Sequence, residues 1–393
     1  MSSNSSQAPQ IPNLNSLKGG ARGGLRGLAS RRAGQSNPQN GVPSPEDSQV
    51  KRDKIIQQTD NDASLSRMSA VDMGYLDDAY GSFFVNVEIP KRYPIINRGT
   101  YVRTKGIDHL VNNFLASEPR SKKQIISLGA GSDTRFFRLC AADAHVVYHE
   151  LDFAVNTEPK ITTIQRSPEL QSVLGASLSD PSTLTISDDK TALYSQTLNI
   201  HPLDLRDLKP SSVPTLPNLD PDLPTLLLSE CCLCYIPPET TTDILNTLLF
   251  LLKPATPAGI ILYEPIRPND SFGRVMISNL SSRGIELRTV KKYATLTAQR
   301  ERLKQAGFTA GQGARSVDAI YYGEGDEEWV SRQERRRVEG LEWLDEVEEW
   351  RLLASHYCIS WAWRGELGSV FGSAWDRIGG GYTSAEDAHD QGR

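Results

Sequence analysis

Residues 124–135 read Gln-Ile-Ile-Ser-Leu-Gly-Ala-Gly-Ser-Asp-Thr-Arg. Ile125, Ile126, Ser127 and Leu128 form the pattern of a buried strand. Gly129-Ala130-Gly131 then turns the chain tightly, and Ser132 or Asp133 can cap a helix through Phe136, Phe137 and Leu139. Strand, Gly-x-Gly and helix in succession is how a doubly wound sheet presents a nucleoside-type ligand at its carboxyl edge. The glycines let the backbone turn and approach that ligand with no Cβ in the way.

The turn also restricts the ligand. A dinucleotide fingerprint asks for a third glycine, and Thr134 stands there; no Gly-Lys-Ser/Thr follows, so the turn is not a P-loop either. A second strand, Val146 to Leu151, ends in Asp152. An acid at that strand end, about 20 residues past the glycines, is the expected partner of ribose hydroxyls. A carboxylate accepts two hydrogen bonds from a vicinal diol and repels a 2′-phosphate. Turn plus acid therefore indicates adenosine or a similar nucleoside without a pyrophosphate, and S-adenosylmethionine fits best. A plain tight turn beside a solvated acid would leave the same letters.

Composition removes several classes. The chain has 393 residues, 38% hydrophobic, enough for one large α/β domain with additions or for two domains. A formal charge of −5 gives no case for nucleic-acid binding. No stretch approaches the roughly 20 apolar residues of a membrane span. The five cysteines lie mostly in apolar runs and are expected as buried free thiols; Cys232-x-Cys234 is too tight and too apolar for zinc, and no metal site is expected.

Residues 1–50 are rich in Ser, Asn, Gln, Gly and Pro and are expected to be a disordered tail. Their acid-free, Arg-containing start is also a feature of mitochondrial presequences, but the glycines at 19, 20, 23 and 24 oppose the helix such a signal needs. A cytoplasmic protein, with the nucleus as a second compartment, is the expectation. A single domain is expected over residues 51–366: a helical cap at 51–120, then a Rossmann-like core at 121–366. The cap should contain helices over Leu65–Tyr80 and Tyr101–Leu115, carrying Arg67 and Arg103.

In the core, helices are expected at Phe153–Gln165, Pro237–Leu252, Ser271–Arg283 and Thr297–Ala306, with one long charged helix over Glu327–Leu353. Residues 167–196 read as an irregular insertion. Strands are expected over Asn199–Leu205, ending in the Asp204-Leu205 pair, Thr225–Glu230 and Gly259–Glu264, with short extended pieces after Gly307-Phe308 and at Ala319–Tyr322, and a last strand in His356–Trp363. Residues 367–393 read as a loosely ordered tail. Alternating strands and helices indicate a mostly parallel, seven-stranded, doubly wound sheet of the S-adenosylmethionine-dependent methyltransferase type.

In that sheet Gly129 and Gly131 follow the first strand, while Asp152, Asp204 and Glu230 end the second, third and fourth strands. All then gather at one edge, around the switch point. Asp204 with Leu205 suits adenine: the carboxylate accepts from the exocyclic amine and a backbone N–H donates to a ring nitrogen. Glu230 suits the ammonium of a methionine moiety, and Arg103 and Arg67 its carboxylate. Any one acid could be a helix cap, and any one arginine a surface charge. Three acids at successive strand ends are harder to ascribe to chance.

The chain resembles the leucine carboxyl methyltransferases. The resemblance is carried by DASLSRMSAVDMGY (62–75), INRGTYVRTKGI (96–107), ISLGAGSDTRFFRL (126–139), YHELDF (148–153), LDLRDL (203–208), LPTLLLSECCLCYIPPE (223–239) and LYEPIRPNDSFGRVMISNL (262–280). It continues through QRERLKQAGF (299–308), LEWLDEVEEW (341–350) and HYCISWAWRG (356–365). It implies transfer of a methyl group from S-adenosylmethionine to the C-terminal leucine carboxylate of the protein phosphatase 2A catalytic subunit, by a monomer. It also implies cofactor positions at Arg67, Arg103, Gly129, Asp152, Asp204, Leu205 and Glu230. Arg67 departs from the family, which usually has lysine there, and an arginine is longer and forked.

No general base is expected, since an α-carboxyl with a pKa of about 3.5 is already ionised. Arg206 and Tyr235 are the candidates for holding the substrate carboxylate. The rival readings are an O-methyltransferase acting on a small-molecule carboxyl or hydroxyl, and a cofactor-binding regulatory module without turnover. A nicotinamide oxidoreductase is disfavoured by Thr134.

Overall fold

The glycine turn lies at the carboxyl end of the central strand of a nine-stranded sheet. The computed structural model describes residues 45–142, 145–176, 178–323, 329–366 and 370–379. The strands are β1 (Lys123–Leu128), β2 (Val146–Asp152), β3 (Thr185–Ile186), β4 (Leu193–Tyr194), β5 (Leu198–Pro202), β6 (Thr225–Glu230), β7 (Ala258–Pro265), β8 (Gly311–Ser316) and β9 (Tyr357–Arg364). Their order is β3-β4-β5-β2-β1-β6-β7-β9-β8. The five strands from β5 to β7 are parallel, and β9 runs antiparallel between β7 and β8. These seven match the sequence expectation, and β3 and β4 extend the β5 edge.

Three helices precede the sheet: α1 (Pro45–Gln57), α2 (Thr59–Asp72) and α3 (Pro94–Ala116). The others are α4 (Ala154–Arg166), α5 (Pro168–Ala176), α6 (Pro238–Phe250), α7 (Ser271–Ser282), α8 (Leu296–Gln305), α9 (Val317–Tyr322), α10 (Arg332–Glu339), α11 (Val347–Ser355) and α12 (Val370–Gly379). Strand alternation sends Ile125 and Ile126 to opposite faces. On one face Ile125, Leu226 and Ile261 join Leu110 and Phe114 of α3 and Phe371 and Trp375 of α12. On the other, Ile126, Leu227 and Ile260 join Ile244 and Leu248 of α6 and Leu303 of α8. Both sides of the central strands are thus dry, which is why apolar residues occupy consecutive rather than alternate positions in them.

Several expectations fail for local reasons. The segment after Arg364 is not loose throughout: α12 stacks Phe371 on Phe114 with ring centroids 4.7 Å apart, and Trp375 Nε1 donates to the Leu110 carbonyl at 3.0 Å. Residues 367–369 and 380–393 of that expected tail lie outside the described residues. Residues 167–196 hold α5 and the β3–β4 pair. Ala319–Tyr322 is helical because Ser316 caps α9, its hydroxyl accepting from the Ala319 N–H at 3.1 Å. The expected long helix is broken into α10 and α11 at Gly340–Glu346, and its first two positions, 327 and 328, are outside the described residues. Helical order begins at Pro45, not near Lys51; residues 1–44 of the expected tail are likewise outside.

Candidate active site

Gly129 and Gly131 adopt φ of +64° and +46°, the left-handed region where a side chain is strained. Space forbids a side chain as well. A Cβ at Gly129 would strike Cys232 Sγ, and one at Gly131 would strike the Asp60 carboxylate. Asp60, near the start of α2, reaches onto the turn and accepts from the Ser132 N–H at 2.9 Å and the Ser132 hydroxyl at 2.8 Å. Asp133 accepts from the Arg135 N–H at 3.1 Å within the turn, but the short helix that follows at Phe136–Cys140 begins at Arg135 with no side-chain cap, contrary to the cap expected from Ser132 or Asp133. The turn is therefore held from the cap side and from within.

At the end of β2, Asp152 Oδ2 accepts from the Gly131 N–H at 2.7 Å. Its Oδ1 accepts from the Phe153 N–H at 2.7 Å and from Asn156 at 2.9 Å. Burial raises the Asp152 pKa against the opposing pull of these hydrogen bonds. A buried carboxylate tied to a glycine turn is a preorganised acceptor for a neutral diol.

On the β5 side, Asp204 caps a short turn, accepting from the Arg206 N–H at 3.0 Å. Arg206 Nε donates to both Asp204 oxygens, at 2.9 and 3.0 Å. Its Nη1 and Nη2 donate to Asp53 on α1, at 2.9 and 2.7 Å. Hydrogen bonds to Asp204, then to Asp53, raise the Arg206 pKa. In this structure the guanidinium of Arg206, the residue expected to hold a substrate carboxylate, binds two carboxylates that tie α1 to the sheet edge.

On the β6 side, Glu230 accepts from Arg103 Nε and, at 2.5 Å, from Arg135 Nη1. Burial would raise the Glu230 pKa, but Arg103 and Arg135 hold it below the ordinary carboxylate value. Arg135 is 2% exposed and also donates to Asp108 and Asp133, each at 2.8 Å. Its Nη2 is buried with no hydrogen-bond partner. Arg103 lies over the Tyr263 ring, 4.8 Å from its centroid, and Tyr263 stacks on Tyr357 at 5.5 Å. Arg67, on α2, donates to Asp78 at 2.7 Å and to Thr104 at 3.1 Å. Tyr235 follows Glu230 in the short turn after β6.

One cavity of about 700 Å³ is lined by every residue singled out from the sequence: Arg67, Arg103, Gly129, Gly131, Asp152, Asp204, Leu205, Arg206, Glu230 and Tyr235. Strand order puts Asp204 and Glu230 on opposite sides of the glycine turn, with Asp152 between Asp204 and the turn. The cavity is floored by the carboxyl edge of the sheet and walled by α1, α2 and α3. Among the described residues, no group of three or more His, Cys, Asp or Glu side chains could hold a metal ion, and no helix is long and apolar enough to cross a membrane.

Sequence reasoning missed Asp53, Asp60 and Arg135. Arg135 stood in the opening motif, yet only the fold shows it reaching three carboxylates. It also missed that Cys231 and Cys234 stand at Cys-x-x-Cys spacing.

The family model described as "Leucine carboxyl methyltransferase" matches residues 43–249. The chain is 47% identical to a leucine carboxyl methyltransferase 1 of Aspergillus fumigatus, over 95% of this chain and 98% of that protein. It is 46% identical to one of Emericella nidulans, over 97% of this chain and all of that protein. It is 38% identical to a leucine carboxyl methyltransferase 1 homolog of Arabidopsis thaliana, over 85% and 96% of the two chains.

Proposed function

The chain belongs to the leucine carboxyl methyltransferase family, and from that premise we propose how its cavity binds S-adenosylmethionine and which carboxylate it methylates. The acceptor is the C-terminal leucine of the protein phosphatase 2A catalytic subunit. The observation that carries the reading is the gathering of Asp152, Asp204, Glu230 and a Cβ-excluding glycine turn on one cavity of about 700 Å³.

The residues fit the cofactor. Asp152 would take the ribose hydroxyls, Asp204 and the backbone at Leu205 the adenine, and the Glu230–Arg103 pair with Arg67 the zwitterionic amino-acid end. Glu230 and Arg103 bind each other in this structure, so an ammonium and a carboxylate would meet a pre-formed pair of opposite sign. Arg67 is fixed by Asp78 and Thr104. That accounts for an arginine where the family usually has lysine: the longer side chain has two anchors of its own.

S-adenosylmethionine supplies a methyl group on a good sulfonium leaving group. The chain's task is then positional. No residue need remove a proton, because the leucine carboxylate is ionised well above its pKa of about 3.5. Tyr235, Tyr263 and Tyr357 line the cavity with apolar ring faces and would strip water from the incoming carboxylate. Desolvation favours a step in which that charge is neutralised.

The test uses purified chain, S-adenosylmethionine labelled in the methyl group, and phosphatase 2A catalytic subunit with or without its terminal leucine. Label in the intact subunit and none in the truncated one is expected. Equal labelling of both, or labelling of small extract components alone, would move the acceptor elsewhere. The isolated tail peptide should be the poorer substrate if the folded partner adds contacts outside the cavity.

A further inference from the structure

We propose that Cys231 and Cys234 are a reversible oxidation site in the wall of the active-site cavity, joined as a disulfide by hydrogen peroxide and reopened by thiols. They flank Cys232-Leu233 at the end of β6, a Cys-x-x-Cys arrangement at the carboxyl edge of a parallel sheet. This spacing recurs in thiol redox motifs on βαβ folds. The methyl-transfer reaction makes no use of it.

Three observations bear on the pair. Cys231 is partly accessible and lines the cavity, the side from which a small oxidant would approach. It is also a non-glycine residue at φ +50°, a strained setting of the kind that clusters at functional sites. The turn around it is pinned: Cys231 N–H donates to the Tyr263 carbonyl at 2.9 Å, and the Cys234 carbonyl accepts from Arg288 N–H at 2.7 Å. Finally, the neighbouring Cys234 thiol, then the Arg103 charge, lowers the Cys231 pKa against its burial. Cys234 is raised by burial and stays a thiol. One sulfur on the cavity wall with a lowered pKa beside one buried sulfur with a raised pKa is the division of labour a peroxide-sensing pair needs.

The chemistry balances. The Cys231 thiolate attacks one peroxide oxygen; the O–O bond breaks, giving a Cys231 sulfenic acid and hydroxide. Cys234 sulfur then attacks the Cys231 sulfur, the S–OH bond breaks, and the second hydroxide leaves. The protons of the two thiols complete two waters, and two electrons pass to the peroxide. The remaining cysteines are placed differently. Cys232 sits against Gly129, its pKa pushed up by burial, while Cys140 and Cys358 are buried in the core. Closing the bond draws Cys231 away from its setting and disturbs its chain neighbour Glu230, hence the Glu230–Arg103 pair.

The experiment treats the full-length chain with hydrogen peroxide and follows methyl transfer alongside non-reducing peptide mapping after thiol blocking. Loss of activity, a peptide spanning 231–234 that lacks two hydrogens and carries a single alkyl group, on Cys232, and recovery with dithiothreitol are expected. Cys234→Ala lies outside the cavity lining; it should keep its activity, yet dithiothreitol should no longer fully reverse its inactivation, because Cys231 then proceeds to the sulfinic acid. Two free thiols at 231 and 234 in peroxide-inactivated enzyme, or full recovery of Cys234→Ala, would overturn the proposal. The mapping readout stands whether or not the acceptor is phosphatase 2A.

Discussion

Arg206 Nη1 and Nη2 grip both carboxylate oxygens of Asp53, at 2.9 and 2.7 Å, while Nε holds Asp204. One side chain thereby fastens α1 to the strand end proposed to bind adenine. Breaking a bidentate, partly buried pair frees α1 and leaves Arg206 to pull on Asp204 alone. Asp53→Ala should weaken S-adenosylmethionine binding roughly tenfold, about 1.4 kcal/mol. Calorimetric titration checks this; an unchanged dissociation constant would separate α1 from the cofactor.

Arg135 is nearly inaccessible and neutralises Asp108, Asp133 and Glu230 together. Its loss leaves Asp133 without that ion pair and adds uncompensated buried negative charge, while Asp108 keeps Arg138 and Glu230 keeps Arg103. Arg135→Met should cost about 3–5 kcal/mol of stability, read as a drop in the urea midpoint. Arg135→Lys should recover little, because an ammonium on a shorter stem cannot serve three carboxylates arranged around a planar fork. Stability of the lysine variant within about 1 kcal/mol of the parent would show that charge alone suffices.

Local pattern was enough for the central sheet and the glycine turn. β1, β6 and β7 each carry an apolar stretch (Ile125-Ile126, Leu226–Leu228 and Ile260–Leu262); β1 runs into the site residue Gly129, and β6 ends at the site residue Glu230. Asp152 and Glu230 were readable because a strand end in a parallel sheet is also a site edge. What escaped depended on contacts remote in sequence. Arg206 looked free for a substrate because its partner Asp53 lies 153 residues away. Residues 319–322 are β-branched and aromatic enough to suggest a strand, and the Ser316 cap decided for helix. The apolar face of α12 is short and preceded by glycines, so only its packing on α3 reveals it as core.

Asp152 accepts three hydrogen bonds around the glycine turn, and two ribose hydroxyls are proposed to take its remaining acceptor site and to displace the Asn156 bond. Asp152→Ala should therefore raise the cofactor dissociation constant about a hundredfold, near 3 kcal/mol for two charge-assisted bonds. Asp152→Asn should fall between, since its amide oxygen can still accept from the Gly131 N–H. Turnover at saturating cofactor should suffer less than affinity. Wild-type affinity in the alanine variant would remove Asp152 from the ribose.

His149 Nδ1 and His201 Nε2 lie 3.0 Å apart between β2 and β5, with Gln124 Oε1 3.2 Å from His149 Nε2. Burial, then the neighbouring His201, pushes the His149 pKa down to about 3, and burial pushes His201 down to about 4. Both are neutral when folded, whereas in the unfolded chain each titrates near 6.5. The unfolded state therefore binds more protons as pH falls below about 6.5, and stability drops until the folded pKa values are reached. Between pH 7.5 and 5.5 the pair should remove about 3 kcal/mol of stability. Urea unfolding at the two pH values measures it, with His149→Gln/His201→Asn as the reference. That double variant should lose most of this pH dependence, whatever its own stability; an unchanged dependence would place the titrating groups elsewhere.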